Sequence, residues 1–173
     1  MTTPRGLLPL LAGAALLALS GCGDDKAAAP PQAKSNAAAY SGVDVCSLAD
    51  DAQLKAALGE GLGDKARKDT DALKACAVDA SSGNFYLFLT VVKPSMAATD
   101  QVGYDKAAVE GEKEIDASTF SFFDDGQAYV ETADGDLVLR ASLIYYVDGG
   151  KITDGPGVVG RLHTLLGQMT QKV

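Results

Sequence analysis

Between Phe85 and Val92 only Thr90 interrupts an unbroken apolar run. Phe85, Leu87, Leu89 and Val91 point to one side of an extended chain, and Tyr86, Phe88 and Val92 to the other. A short run that is apolar in both directions predicts a central strand covered on both faces. Pro94 lacks an N–H and ends it. Before it, Cys76 to Ala80 reads as a short strand and Ser81-Ser82-Gly83-Asn84 as a turn. The longest alternation lies downstream. Leu137, Leu139, Ala141, Leu143, Tyr145 and Val147 share one side, with Arg140, Ser142 and Tyr146 opposite, and Gly149-Gly150 breaks the pattern. Phe120, Phe122 and Phe123 mark another strand, and Ala128 to Thr132 a further one. Asp125-Gly126 and Asp134-Gly135 separate them as hairpin turns, because a tight primed turn needs positive φ.

Helical spacing accounts for the remaining apolar positions. Leu54, Ala57 and Leu58 fall at i, i+3 and i+4 in a predicted helix from Asp50 to Leu58. Asp50 and Gln53 suit the two halves of a capping box, and Gly59 a terminating position. A second helix is predicted from Met96 to Glu110, with Val102 and Val109 on one face and Gly103 weakening it. Pro156 suits the first turn of a last helix striped by Val158, Leu162, Leu165 and Met169, with Val159 and Leu166 alongside. Glu60 to Ala75, rich in Gly, Asp and Lys, predicts a loop. The order is αββαβββα: an α+β domain with a mostly antiparallel sheet of about five or more strands and helices packed on it.

The N-terminus follows a different pattern. One basic residue, Arg5, precedes the apolar run Leu7 to Leu19, and small residues follow it. That is the layout of a secretory signal, too short for a stable span. The run ends in Leu19-Ser20-Gly21-Cys22, which resembles the lipobox of bacterial lipoproteins. The resemblance implies cleavage before Cys22, diacylglycerol on its sulfur, and anchoring at the extracytoplasmic face of a cell membrane. Each buried methylene contributes roughly 0.8 kcal/mol, so two or three acyl chains hold far better than one. Residues 1–21 are then the signal peptide. Residues 22–42, rich in Ala, Pro and small polar side chains, are the lipidated cysteine and a tether. Residues 43–173 form a single globular domain.

Charge and cysteine content narrow the function. The 173-residue chain carries a formal net charge of -8, and an acidic surface repels phosphate backbones. No nucleic-acid partner is expected. With no Trp there is little sign of a stacking platform for sugars or bases. Setting Cys22 aside leaves Cys46 and Cys76, an even remainder in an oxidising compartment, which suggests one disulfide rather than two free or reactive thiols. One His and no further pair of soft ligands serve a metal poorly. No cofactor is expected.

Candidate chemistry is sparse. His163 is the only histidine, so a Ser-His-Asp arrangement must pass through it; no Gly-x-Ser-x-Gly elbow accompanies it. Asp124-Asp125-Gly126 and Asp134-Gly135-Asp136 invite calcium but lack the rest of a calcium loop. Asp148-Gly149-Gly150-Lys151 lacks phosphate-loop spacing. Glu110, Glu112 and Glu114 alternate in a solvated stretch. Tyr145-Tyr146 either lines a ligand groove or splits between core and sheet face.

Several short features coincide with one family. Asp44-Val45-Cys46-Ser47-Leu48, a helix closing on Ala57-Leu58-Gly59, and a second cysteine opening a strand resemble the actinobacterial lipoproteins built on a paired-cysteine domain of unknown function. The resemblance covers Val43 to Val173. It departs at Val78, where that family often carries an aromatic residue. It implies a PsbP/Mog1-like α-β-α sandwich and no catalytic residues. The expected function is a non-enzymatic, lipid-anchored envelope module that binds a protein or small ligand. The alternative is an envelope hydrolase with an unrecognised site, and a purely structural role is a third.

Overall fold

A computed structural model describes residues 40–146 and 151–173. Helix α1, Asp51–Leu58, is held at its start by both halves of the capping box. The Asp50 carboxylate accepts from the Gln53 N–H at 2.9 Å, and Gln53 Oε1 accepts from the Asp50 N–H at 2.9 Å. Gly59 ends the helix in the left-handed region at φ 80°, where a side chain would be strained. A 3-10 turn, Val45–Ser47, precedes it.

The strands are β1 Leu62–Arg67, β2 Leu73–Ala80, β3 Phe85–Val92, β4 Lys113–Asp116, β5 Thr119–Phe123, β6 Gln127–Asp134 and β7 Leu137–Tyr145. They form one antiparallel sheet in the order β1-β2-β3-β7-β6-β5-β4. Two meanders, β1 to β3 and β4 to β7, are thus joined at the centre by the β3–β7 pair. Helix α2, Ala98–Ala107, links the meanders, and α3, Gly155–Thr170, closes the chain.

The α+β class and the antiparallel sheet agree with the sequence reading; the element order differs by two strands. Residues Glu60 to Ala75 are not one loop. They contain β1 and the start of β2, so the connection shrinks to 68–72. β4 begins within the Glu110, Glu112 and Glu114 stretch, taking in Glu114, which is solvated as read. Both missed strands are the sheet's edges. β4 is exposed along its whole length and β1 is only partly covered at Leu62 and Ala66. Such strands bury too little to need an apolar pattern, and charge on them discourages edge-to-edge pairing.

One face of the sheet carries the main core. Phe85, Leu87, Leu89 and Val91 of β3 and Leu137, Leu139, Ala141 and Leu143 of β7 are buried there against α3 and α1. α3 contributes Val158, Leu162, Leu165, Leu166 and Met169, the stripe its spacing predicts. Each buried Leu contributes roughly 1.5–3 kcal/mol. Cys46 and Cys76 are joined by a disulfide, with Cα atoms 5.0 Å apart, and it ties the 3-10 turn to β2.

The opposite face is covered only in part. α2 packs Ala98 and Val102 over Phe120, Tyr129 and Val138, a smaller apolar cluster above β5, β6 and β7. Val92 of β3 packs on its margin, and beyond it Tyr86 and Phe88 are, like Val92, only half-buried. The expectation that β3 is fully covered on both faces, Phe88 included, is therefore corrected: a ten-residue α2 is too short to roof the whole sheet. The two Asp-Gly turns also differ. Gly135 has the expected positive φ, 59°, but the two-residue β6–β7 loop is Gly135-Asp136, because Asp134 still pairs with Leu137 in the ladder. Gly126 does not take positive φ; its turn is held by Asp124 Oδ1, which accepts from the Gly126 and Gln127 N–H groups at 2.7 and 2.8 Å. Val147 and Gly149-Gly150 lie outside the described residues.

Candidate ligand groove

The bare half of the sheet holds a cavity of about 420 Å³. Register sets its floor. Phe88 lies opposite Ser142 and Thr90 opposite Arg140 across β3 and β7. Ser142 lies opposite Tyr129 and Arg140 opposite Glu131 across β7 and β6. Leu73 and Ile144 supply apolar wall, and α2 overhangs it with Gln101 and Asp105.

At the floor sits a buried carboxylate. Glu131 is 1% exposed. Arg140 Nε donates to its Oε2 at 2.6 Å, and the same guanidinium's Nη2 also pairs with that oxygen. Nη2 lies 3.6 Å from Asp105 Oδ2, and Gln101 Nε2 donates to Asp105 Oδ1 at 2.8 Å. The other oxygen of Glu131, Oε1, is buried and accepts no hydrogen bond; Asp105 lies close enough to share a proton with the Glu131 carboxyl. Burial pushes the Glu131 carboxyl up to about 7; Arg140 opposes the shift and neighbouring Asp105 reinforces it. The Arg140 guanidinium also lies 4.9 Å from the centre of the Tyr129 ring, whose hydroxyl burial holds above its ordinary range.

A row of aromatics continues from the cavity across the open face. Phe88 meets Tyr86 edge-on at 6.2 Å, and Tyr86 stacks on Tyr146 at 4.6 Å. Tyr146 is 58% exposed and its hydroxyl donates to Asp79 Oδ1 at 2.9 Å. A stacking surface is therefore present despite the absence of Trp, because alternate positions of β3 and the residue after β7 share one face. Tyr145 goes the other way and packs on Phe85 at 5.0 Å, so the tyrosine pair splits between core and sheet face.

A second cleft, of about 490 Å³, runs between α1 and α3 beside Ala56, Gly157 and Gly160. Small residues leave the helices unfilled there, and among the described residues none that lines it carries a buried unpaired polar atom.

The other candidates resolve into structure. His163 is exposed, lines neither cavity, and lies close enough to Asp116 to help hold that carboxyl low, after the larger effect of the Ser118 N–H. Asp124 caps its turn, and Asp125 pairs with Lys151 at 2.7 Å. Glu114 pairs with Lys106 on the sheet edge. Among the described residues no three His, Cys, Asp or Glu side chains group to hold a metal, and no helix is long and apolar enough to cross a membrane. Cys22 and Asp148-Gly149-Gly150 lie outside the described residues.

Sequence reasoning passed over Glu131, Arg140 and Asp105. A signal existed for the first. Glu131 is the one charge in the strand Ala128 to Thr132, but the loop proves to be Gly135-Asp136, and a count outward from Asp134-Gly135 would have set Glu131 opposite Val138 instead of Arg140. Asp105 joins them only through the placement of α2, which no local pattern specifies. Comparison with known proteins finds no matching family model, curated relative or solved structure.

Proposed function

We propose that this chain is a lipid-anchored envelope module that binds a small ligand in the groove between α2 and the open face of β3, β7 and β6. It is non-enzymatic in this reading. Acyl chains on Cys22 hold it at the extracytoplasmic face, residues 23–39 space the domain from the bilayer, since Tyr40 already packs on the main core, and kinship with the paired-cysteine lipoproteins fits the α-β-α layering. The observation that carries the binding role is Glu131 Oε1: a buried acceptor without a donor, at the floor of a cavity of ligand size walled by Leu73, Phe88 and Ile144.

Two measurements test it. Cys22→Ala should abolish metabolic acyl labelling and move the protein out of the membrane fraction with its fold intact; retention in that fraction would count against the anchor. A small-molecule screen followed by backbone amide shifts should give hits clustered on Phe88, Tyr129 and Ser142. Hits confined to the α1–α3 cleft would place the binding site elsewhere.

One observation favours the hydrolase reading. A carboxyl held near 7 beside a second carboxyl is the pattern of an acid–base pair. Against it, Arg140 engages both acids. Turnover of ester, glycoside or peptide substrates that disappears in Glu131→Gln would select that reading instead.

A further inference from the structure

The groove's charge inventory is unbalanced. Among the residues lining it, Glu131 and Asp105 face a single cation, Arg140. Both nitrogens that Arg140 presents to Glu131 go to Oε2, so Oε1 accepts from no protein donor, and Asp105, which also approaches this carboxyl, is itself an acid that can bond it only by sharing a proton. We propose that the ligand is a small organic cation, a protonated amine on an apolar body, whose ammonium donates to Glu131 Oε1. This rests on reading the groove as a binding site, and adds the chemical class of what enters it.

Three alternatives can be ordered by charge. An ammonium supplies the missing donor and the missing charge together, and a charge-assisted bond is the strongest available to a buried carboxylate. A neutral hydroxyl satisfies Oε1 but leaves two acids on one guanidinium. A carboxylate ligand would set a third anion beside two, in surroundings that screen charge weakly. The walls suit the apolar body: Phe88 is half-buried with one side on the cavity, and Leu73 and Ile144 flank it. The acidic chain as a whole, at -8, draws cations toward it. The raised affinity of Glu131 for a proton points the same way, since an ammonium answers the same unmet demand for positive charge.

The test uses one shape with three charges. Benzylamine, benzyl alcohol and benzoate are titrated separately against the full chain, followed by the backbone amides of Phe88, Tyr129, Glu131 and Ser142. Benzylamine should saturate these shifts with a Kd on the order of 1 mM or tighter, in the range open to so small a ligand. It should bind roughly ten times more tightly than either analogue, a ratio typical of one charge-assisted contact. Glu131→Gln should remove that preference. If that variant does not fold, Phe88→Ala and Asp105→Asn, at half-buried positions, should each weaken the amine several-fold. Tightest binding by benzoate, or amine binding unchanged in all three variants, overturns the cation and leaves the groove standing. No shift at these amides with any of the three probes overturns both.

Discussion

Arg140 Nε lies 2.6 Å from Oε2 of Glu131, a carboxylate that is 1% exposed, in the middle of a seven-stranded sheet. Burying that carboxylate costs more than the pairing returns, and for that reason its proton affinity rises despite the guanidinium. Natural cores seldom retain such a group without use for it.

The first consequence is a pH dependence. The folded carboxyl titrates near 7 against an ordinary value of 4.5. Between those values the folded state binds more protons than the unfolded one, so Glu131 makes stability fall as pH rises from about 4.5 through 7. Its contribution is on the order of 2–3 kcal/mol. Denaturation at pH 5 and pH 8 should show this fall, and Glu131→Gln should lose it. An identical pH difference in the variant would mean the carboxyl is not held this way.

Phe88 and Leu89 are neighbours with unequal roles. Leu89 is 1% exposed in the main core, so Leu89→Ala should cost roughly 2–5 kcal/mol. Phe88 is half-buried beside the groove, and Phe88→Ala should cost about 1–2 kcal/mol, below the range for a fully buried aromatic. Urea unfolding of both variants checks the ranking. Equal losses would show that the open face is packed as tightly as the other.

The Cys46–Cys76 bond spans 30 positions. Chain entropy puts its contribution at roughly 3.5 kcal/mol. Cys46→Ser with Cys76→Ser should lower the unfolding midpoint accordingly. Cys76 is fully buried and Cys46 half-buried, so a reductant can approach the folded bond only from the Cys46 side and should act faster once denaturant opens both. Equal reduction rates in both states would contradict that burial.

Gly155 is needed for space rather than for φ. A Cβ there would lie 2.2 Å from the Phe123 ring. Gly155→Ala should therefore destabilise by about 1–3 kcal/mol through overpacking. The double variant with Phe123→Leu should recover part of that loss, and thermal unfolding of the pair measures it.

Legibility followed burial. The Phe85–Val92 strand, the Asp50 capping box and the stripe on α3 were readable because each combines a strong period with a start or stop signal. β1 and β4 were not, because an exposed edge held by backbone hydrogen bonds places almost no demand on its side chains. Of the groove, Glu131 stood out as the lone charge of its strand, but its place opposite Arg140 depends on a loop at Gly135-Asp136, one residue beyond the Asp-Gly pair read as the turn. Asp105 and Phe88 did not reveal their roles, since these depend on how far α2 reaches across the sheet.

The junction of the two meanders has a consequence for how the chain is made. β3 is its most apolar strand, and one of its two edges is filled only by β7, fifty residues further on. Until residues 137–145 have been synthesised, that edge stays open on a segment well suited to pairing with another chain. The domain therefore has no safe halfway point: a nascent or truncated product ending before β7 carries a sticky sheet margin, and its survival depends on holding factors or speed rather than on its own stability.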